Sequence, residues 1–169
     1  MNDFNSALNL VNKMIYEPND LIVQSVQEEK QNAKYGAGTF QLSSRTIRFR
    51  VAHITPTKVG QFVAIWEKDI NNKNQPYLYE YAPDILVITT FKNEHEFGQF
   101  VFQKEVLLKK DILRSPSTKG KMAIRVYPIW EKPTSKQAIK TQKWQLPYFI
   151  DMCHPNKLPL KEVKDLYSI

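Results

Sequence analysis

Six short runs rich in Val, Ile, Phe, Tyr, Trp and Thr lie between residues 35 and 130, and they limit the folds open to this chain. They read "TFQLSS", "TIRFRVAHI", "GQFVAIWEK", "DILVITT", "GQFVFQK" and "KMAIRVYPIW". Turn residues part them, in "YGAG", "TPTKVG", "NNKNQP" and "SPSTKG". Such runs predict five or six strands. Strands joined by turns this short pair mostly antiparallel, because a parallel pair needs a long crossover. The strand-helix alternation of a doubly wound sheet is missing.

Helical spacing frames this block. In "FNSALNLVNKMI" the residues Leu8, Val11 and Ile15 recur at a helical period, which predicts a helix over 5–16 capped by Asn5 or Ser6. "LIVQSVQEEKQN" reads as a second short helix packed by Leu21, Val23 and Val26. The period returns in "LLKKDIL", "TSKQAIKTQKWQ" and "LKEVKDLY", the last two introduced by Pro133 and Pro159. The expected fold is α+β: one domain over 1–169, with a five- or six-stranded, mostly antiparallel sheet flanked by terminal helices. Its parts are a helical segment over 1–33, a core over 35–150 and a C-terminal helix within 151–169.

A chain of 169 residues can bury one real core, and too few remain for a second domain of ordinary size. Its single cysteine, Cys153, cannot form an internal disulfide, and no second thiol completes a zinc knuckle with His154. No basic leader and no membrane-length apolar run is present, so a soluble cytoplasmic protein is expected. The net charge is +7. Residues 1–33 hold two basic and five acidic residues, leaving 22 basic against 12 acidic in the rest. Such a field attracts polyanions, nucleic acid foremost.

Three clusters carry the excess. In "RTIRFRVAH" a strand turns Ile47, Phe49 and Val51 to one face and Arg48 and Arg50 to the other. The arginines then stand about 6.5–7 Å apart, near the spacing of successive phosphates. The alternative is an ordinary strand whose arginines pair with Glu67 or Asp69. In "STKGKMAIRVY", Lys119 and Lys121 flank Gly120, and Arg125 faces away from Met122, Ile124 and Val126. This is no phosphate-binding P-loop, because the leading glycine and the Ser or Thr after the lysine are missing. In "PTSKQAIKTQKWQLP", Thr134 and Gln137 suit a capping box, and Lys136, Lys140 and Lys143 form one helical stripe. Lys58 in "TPTKVG" joins these candidates. Trp144 can stack on a base, but a core position is the commoner use of a tryptophan.

Catalytic signals are incomplete. "APDILVITT…FVFQK" has the Pro83, Asp84 and Lys104 of a PD…(D/E)xK nuclease pattern, yet Phe102 occupies the acid's position and cannot hold Mg²⁺. Glu80, Glu94, Glu96 and Glu105 are the nearby substitutes. His53, His95 and His154 are scattered, and no triad is indicated. No catalytic, metal-binding or cofactor-binding residue is therefore assigned. Gly-Gln-Phe-Val occurs twice, at 60–63 and 98–101, and "IWEK" recurs at 65–68 and 129–132. Such short matches establish no repeat; two turn-entered strands solving one packing problem suffice.

"RFRVAHITPTKVGQFVAIWEKD", "GQFVFQKEVL" and "GKMAIRVYPIWEKPTSKQAIKTQKWQLPYF" together resemble the MepB-like family of bacterial cytoplasmic proteins, one of which is encoded beside a multidrug efflux pump and its regulator. The resemblance spans roughly residues 35–150. It implies a fold and a bacterial setting, and assigns no activity. The site before "ITP" holds His53 where the family pattern has lysine, which weakens any role for a cation there. The leading expectation is a nucleic-acid-binding protein with a basic face, DNA being the expected form, in a bacterial drug response. The alternatives are a Mg²⁺-dependent nuclease-like enzyme or a dead relative of one, and a module for an acidic protein partner. No membrane partner is expected, and the oligomeric state is open.

Overall fold

The computed structural model describes residues 3–154 and 160–169. Among the described residues, eleven strands form three sheets. In chain order they are β1 (Val23–Glu28), β2 (Gly38–Leu42), β3 (Arg45–Val51), β4 (His53–Ile54), β5 (Gln61–Ala64) and β6 (Trp66–Lys68). The rest are β7 (Asn74–Pro76), β8 (Ile85–Phe91), β9 (Phe97–Gln103), β10 (Ala123–Val126) and β11 (Phe149–Asp151). The helices are α1 (Phe4–Val11), α2 (Lys104–Lys109), α3 (Lys136–Gln145) and α4 (Leu160–Tyr167).

The main sheet runs β1-β2-β3-β8-β9-β11, antiparallel except for the parallel pair β3 and β8. This is the expected α+β fold. A three-stranded sheet, β10-β5-β4, and the β6-β7 ribbon take up the remaining strands. Both faces of the main sheet are covered. Ile47, Phe49, Val51, Ile85, Val87 and Val101 pack with α1 and α4 in one core. Leu86, Ile88, Phe100 and Phe102 point the opposite way, into a second core with Val63, Leu107, Ile124 and Val126. Alternation along β8 and β9 thus sends side chains into two cores, which is why these strands read as continuous apolar runs.

Several local expectations change. α1 is capped by Asp3, whose Oδ1 accepts from the Ser6 amide at 2.9 Å, and it passes into a wider π turn over Asn12–Tyr16. α3 is capped by Ser135, which accepts from the Ala138 amide at 3.1 Å; Thr134 lies one residue too early. The "LIVQSVQEE" segment is the edge strand β1, so residues 1–33 are not all helical. Val26 and Ile22 are exposed there, and pairing with β2 holds the segment in place of a packed helical face. "LLKKDIL" is helical only through Lys109. Pro159, expected to open the last helix, lies outside the described residues.

The doubled tetrapeptide serves two different sheets. Gly60 enters β5 with φ +86°, and a Cβ there would meet the Tyr127 ring at 2.7 Å. Gly98 is the second residue of β9, not a turn residue, and its Cβ would meet the Phe149 ring at 2.3 Å and the Ile150 carbonyl at 2.7 Å. The glutamines that follow are both buried. Gln61 Nε2 donates to the Phe91 carbonyl at 3.0 Å, and Gln99 Oε1 accepts from the Tyr167 hydroxyl. A glycine admits the close neighbour and a glutamine ties the strand to another element.

Candidate nucleic-acid interface

β5 and β10 turn Val63, Ile124 and Val126 into the second core and leave their other face toward solvent, where β4 pairs along β5. On the outer face the register aligns His53 with Phe62 and Phe62 with Arg125. The Arg125 guanidinium carbon lies 5.9 Å from the Phe62 ring centre. Its Nη1 donates to Thr55 Oγ1 at 2.9 Å and to the carbonyls of Val59 and Gly60. These bonds fasten the turn that bears Lys58, and the left-handed Gly60 closes it.

Beside this row, between β10, the end of α2 and the first turns of α3, runs a cleft of about 350 Å³. Lys58, Lys110, Lys121 and Arg125 line it, with Ser135, Gln137 and Thr141 from α3 and no carboxylate. None of the four cations makes an ion pair among the described residues. A smaller recess of about 210 Å³ shares Lys58, Arg125, Ser135 and Ala138. The Lys110 ammonium sits 5.1 Å from the Trp144 ring centre. Trp144 is half-buried: its ring packs 5.4 Å from Phe102, and it also lines the cleft.

The expected site residues divide. Lys58, Lys121 and Arg125 converge on the cleft. Lys136, Lys140 and Lys143 are exposed on α3, but α3 turns Gln137, Ala138, Thr141, Trp144 and Gln145 toward the cleft, so the lysine stripe flanks it. Lys119 is exposed in the neighbouring loop and lines neither recess. Arg48 and Arg50 are no phosphate ladder. They lie on the face of β3 that the second core covers, and Arg50 is fully buried. Arg50 Nη1 contacts Glu29 Oε1 at 2.8 Å, Nε donates to the Ala64 carbonyl, and Nη2 donates to the Tyr77 hydroxyl. Arg48 is 3.3 Å from the same carboxylate, with its guanidinium carbon 3.7 Å from the Tyr77 ring centre. Their partner is Glu29 rather than Glu67 or Asp69. Lys110 went unpredicted, since nothing in sequence spacing relates it to a tryptophan 34 positions away.

The nuclease pattern has another use. Asp84 Oδ2 accepts from the Thr46 amide at 3.0 Å, and the Asp84 amide donates to Thr46 Oγ1 at 2.9 Å, which clamps the start of β8 to β3. The Lys104 ammonium lies 4.7 Å from the Tyr79 ring centre. Among the described residues no group of three or more His, Cys, Asp or Glu side chains is placed to hold a metal ion. No described helix is long and apolar enough to cross a membrane.

Fold and cleft define an α+β protein with a surface cleft whose charged lining residues are all cations. The chain belongs to the MepB-like family, whose model matches residues 29–151. It is similar to the crystal structure of MepB, at 43% identity, with a TM-score of 0.76, over 86% of this chain and 95% of that one. No significant match is found among curated proteins.

Proposed function

We propose that this protein binds nucleic acid, with DNA as the expected form, by seating phosphates in the cleft between β10 and α3. One observation carries the reading: Lys58, Lys110, Lys121 and Arg125 surround a single cleft that no acidic side chain lines. Four like charges in one recess repel one another, and an anion relieves that repulsion. The flanking stripe of Lys136, Lys140 and Lys143 extends the field without base selectivity. Asp84 and Lys104 lend no support to the nuclease alternative, because each is held by neighbours that give it a structural task.

The test is fluorescence anisotropy of a labelled oligonucleotide across a salt series. Binding should weaken log-linearly with salt, by about 0.9 logarithmic units per duplex phosphate contact and about 0.7 per single-strand contact. Replacing Lys58, Lys110, Lys121 and Arg125 together with glutamine should flatten that slope. Absence of binding at low salt, or a slope unchanged by the fourfold replacement, would overturn the reading. Equal affinity for polyglutamate of matched charge would favour an acidic protein partner instead.

A further inference from the structure

No residue of β6 or β7 enters either core, yet the ribbon they form is firmly held at its base. Arg114 Nε donates to the Pro76 carbonyl at 2.7 Å, its Nη2 lies 3.3 Å from Glu67 Oε2, and the Ile65 amide donates to the Met122 carbonyl at 2.8 Å. Asp69 shapes the tip. Its Oδ1 accepts from the amides of Asn71 and Lys73 at 2.8 and 2.9 Å, and Asn72 takes the left-handed region at φ +62°. On this fixed turn Ile70 is 100% exposed. Gly, Pro, Asn, Asp and Ser are the ordinary turn residues, and a β-branched apolar side chain gains nothing from water there. Asn71, Asn72 and Asn74 are exposed around it, as are Lys68 and Lys73. Both carboxylates of the ribbon are engaged, Asp69 by the turn amides and Glu67 by Gln75 and Arg114.

We infer that the tip of this ribbon enters the major groove of duplex DNA and reads A·T pairs there, while the neighbouring cleft holds the backbone. This rests on the proposed function and adds a sequence preference to it. The two surfaces are contiguous, because the ribbon is pinned at Met122 and the residues on either side, Lys121 and Ala123, line the cleft. A major groove about 12 Å wide admits a two-stranded ribbon. Adenine offers an N7 acceptor and an N6 donor there, which an asparagine side chain meets with its own amide and carbonyl, and thymine offers a methyl group on which an apolar side chain packs. Asn71 and Asn72 supply the amides and Ile70 the apolar contact. Lys68 and Lys73 face the phosphates at the groove edges, where they add affinity without selecting a base.

The experiment measures anisotropy with labelled duplexes of equal length: an A·T-rich one, the same sequence with deoxyuridine in place of thymidine, and a G·C-rich one. The intact protein should bind the A·T duplex about tenfold more tightly than the G·C duplex. It should bind the A·T duplex about fourfold more tightly than its uracil counterpart, the worth of one buried methyl group. Ile70→Ser should erase the difference between thymine and uracil, and because the side chain lies wholly in water the melting temperature should not move. Asn71→Ala combined with Asn72→Gly should lower the ratio of A·T to G·C affinity and leave the salt slope, which the cleft sets, as in the parent. Equal binding of all three duplexes would overturn the inference and leave the proposed function standing. A thymine preference that survives in Ile70→Ser, or binding confined to single strands, would have the same consequence. Failure to bind any nucleic acid would overturn both readings.

Discussion

Arg50 and Glu29 form the ion pair on which the loop between β1 and β2 is anchored, with Nη1 and Oε1 2.8 Å apart and the arginine side chain wholly inaccessible. Glu29 immediately precedes the loop that carries Lys30, Asn32, Lys34 and Tyr35. Arg50 also reaches the Ala64 carbonyl at the end of β5. One buried guanidinium therefore ties the β1–β2 loop to the end of β5.

Removing the counterion should be costly. Glu29→Gln leaves a buried guanidinium without its compensating charge, and loss of one partner of a buried pair costs about 3–5 kcal/mol. Urea unfolding should show a lower midpoint with an unchanged slope.

The same pair predicts a pH dependence. Burial pushes the Glu29 carboxyl up, but Arg50 and Arg48 more than offset this and hold it below its ordinary value. A carboxylate with a lowered folded-state value stabilises the protein fully above its unfolded value, and the contribution disappears as pH falls through the folded value. Melting temperature should fall on acidification, and less steeply in Glu29→Gln than in the parent. Parallel curves for the two would refute the assignment.

Gly98→Ala should destabilise strongly, because the added methyl meets both a ring and the Ile150 carbonyl, and backbone cannot step aside as a flexible side chain can. Gly60→Ala combines a left-handed φ with contact against Tyr127 and should cost about 1–3 kcal/mol. Thermal melts of both variants give the ranking. A Gly98→Ala melt within a degree of the parent would disprove the tight contact.

Trp144 bridges core and cleft, so its replacement should register in two assays. Trp144→Ala should lose about 2 kcal/mol of stability, below the range for a fully buried tryptophan because this one is half-exposed. It also frees Lys110 from the ring. Trp144→Phe should recover most of the stability, and differential scanning calorimetry beside a binding titration separates the effects.

Sequence alone determined which residues share a face. The alternation Ile47, Phe49, Val51 against Arg48, Arg50 is borne out, as are the exposed lysine stripe of α3 and the strand content between residues 35 and 130. It could not determine whether a face is covered, and only the tertiary structure decided that. β3 lies inside a sheet packed on both sides, so arginines that alternate like a solvent face are interior, compensated by a glutamate 21 positions from Arg50. β1 owes its strand form to pairing with β2, an interaction outside any local window. Lys58, Lys110, Lys121 and Arg125 come from four separate elements or turns, and their meeting depends on how α2 and α3 pack beside β10. Periodicity is local and is written in the chain; burial and convergence are sums over distant contacts, which exist only once the chain has folded.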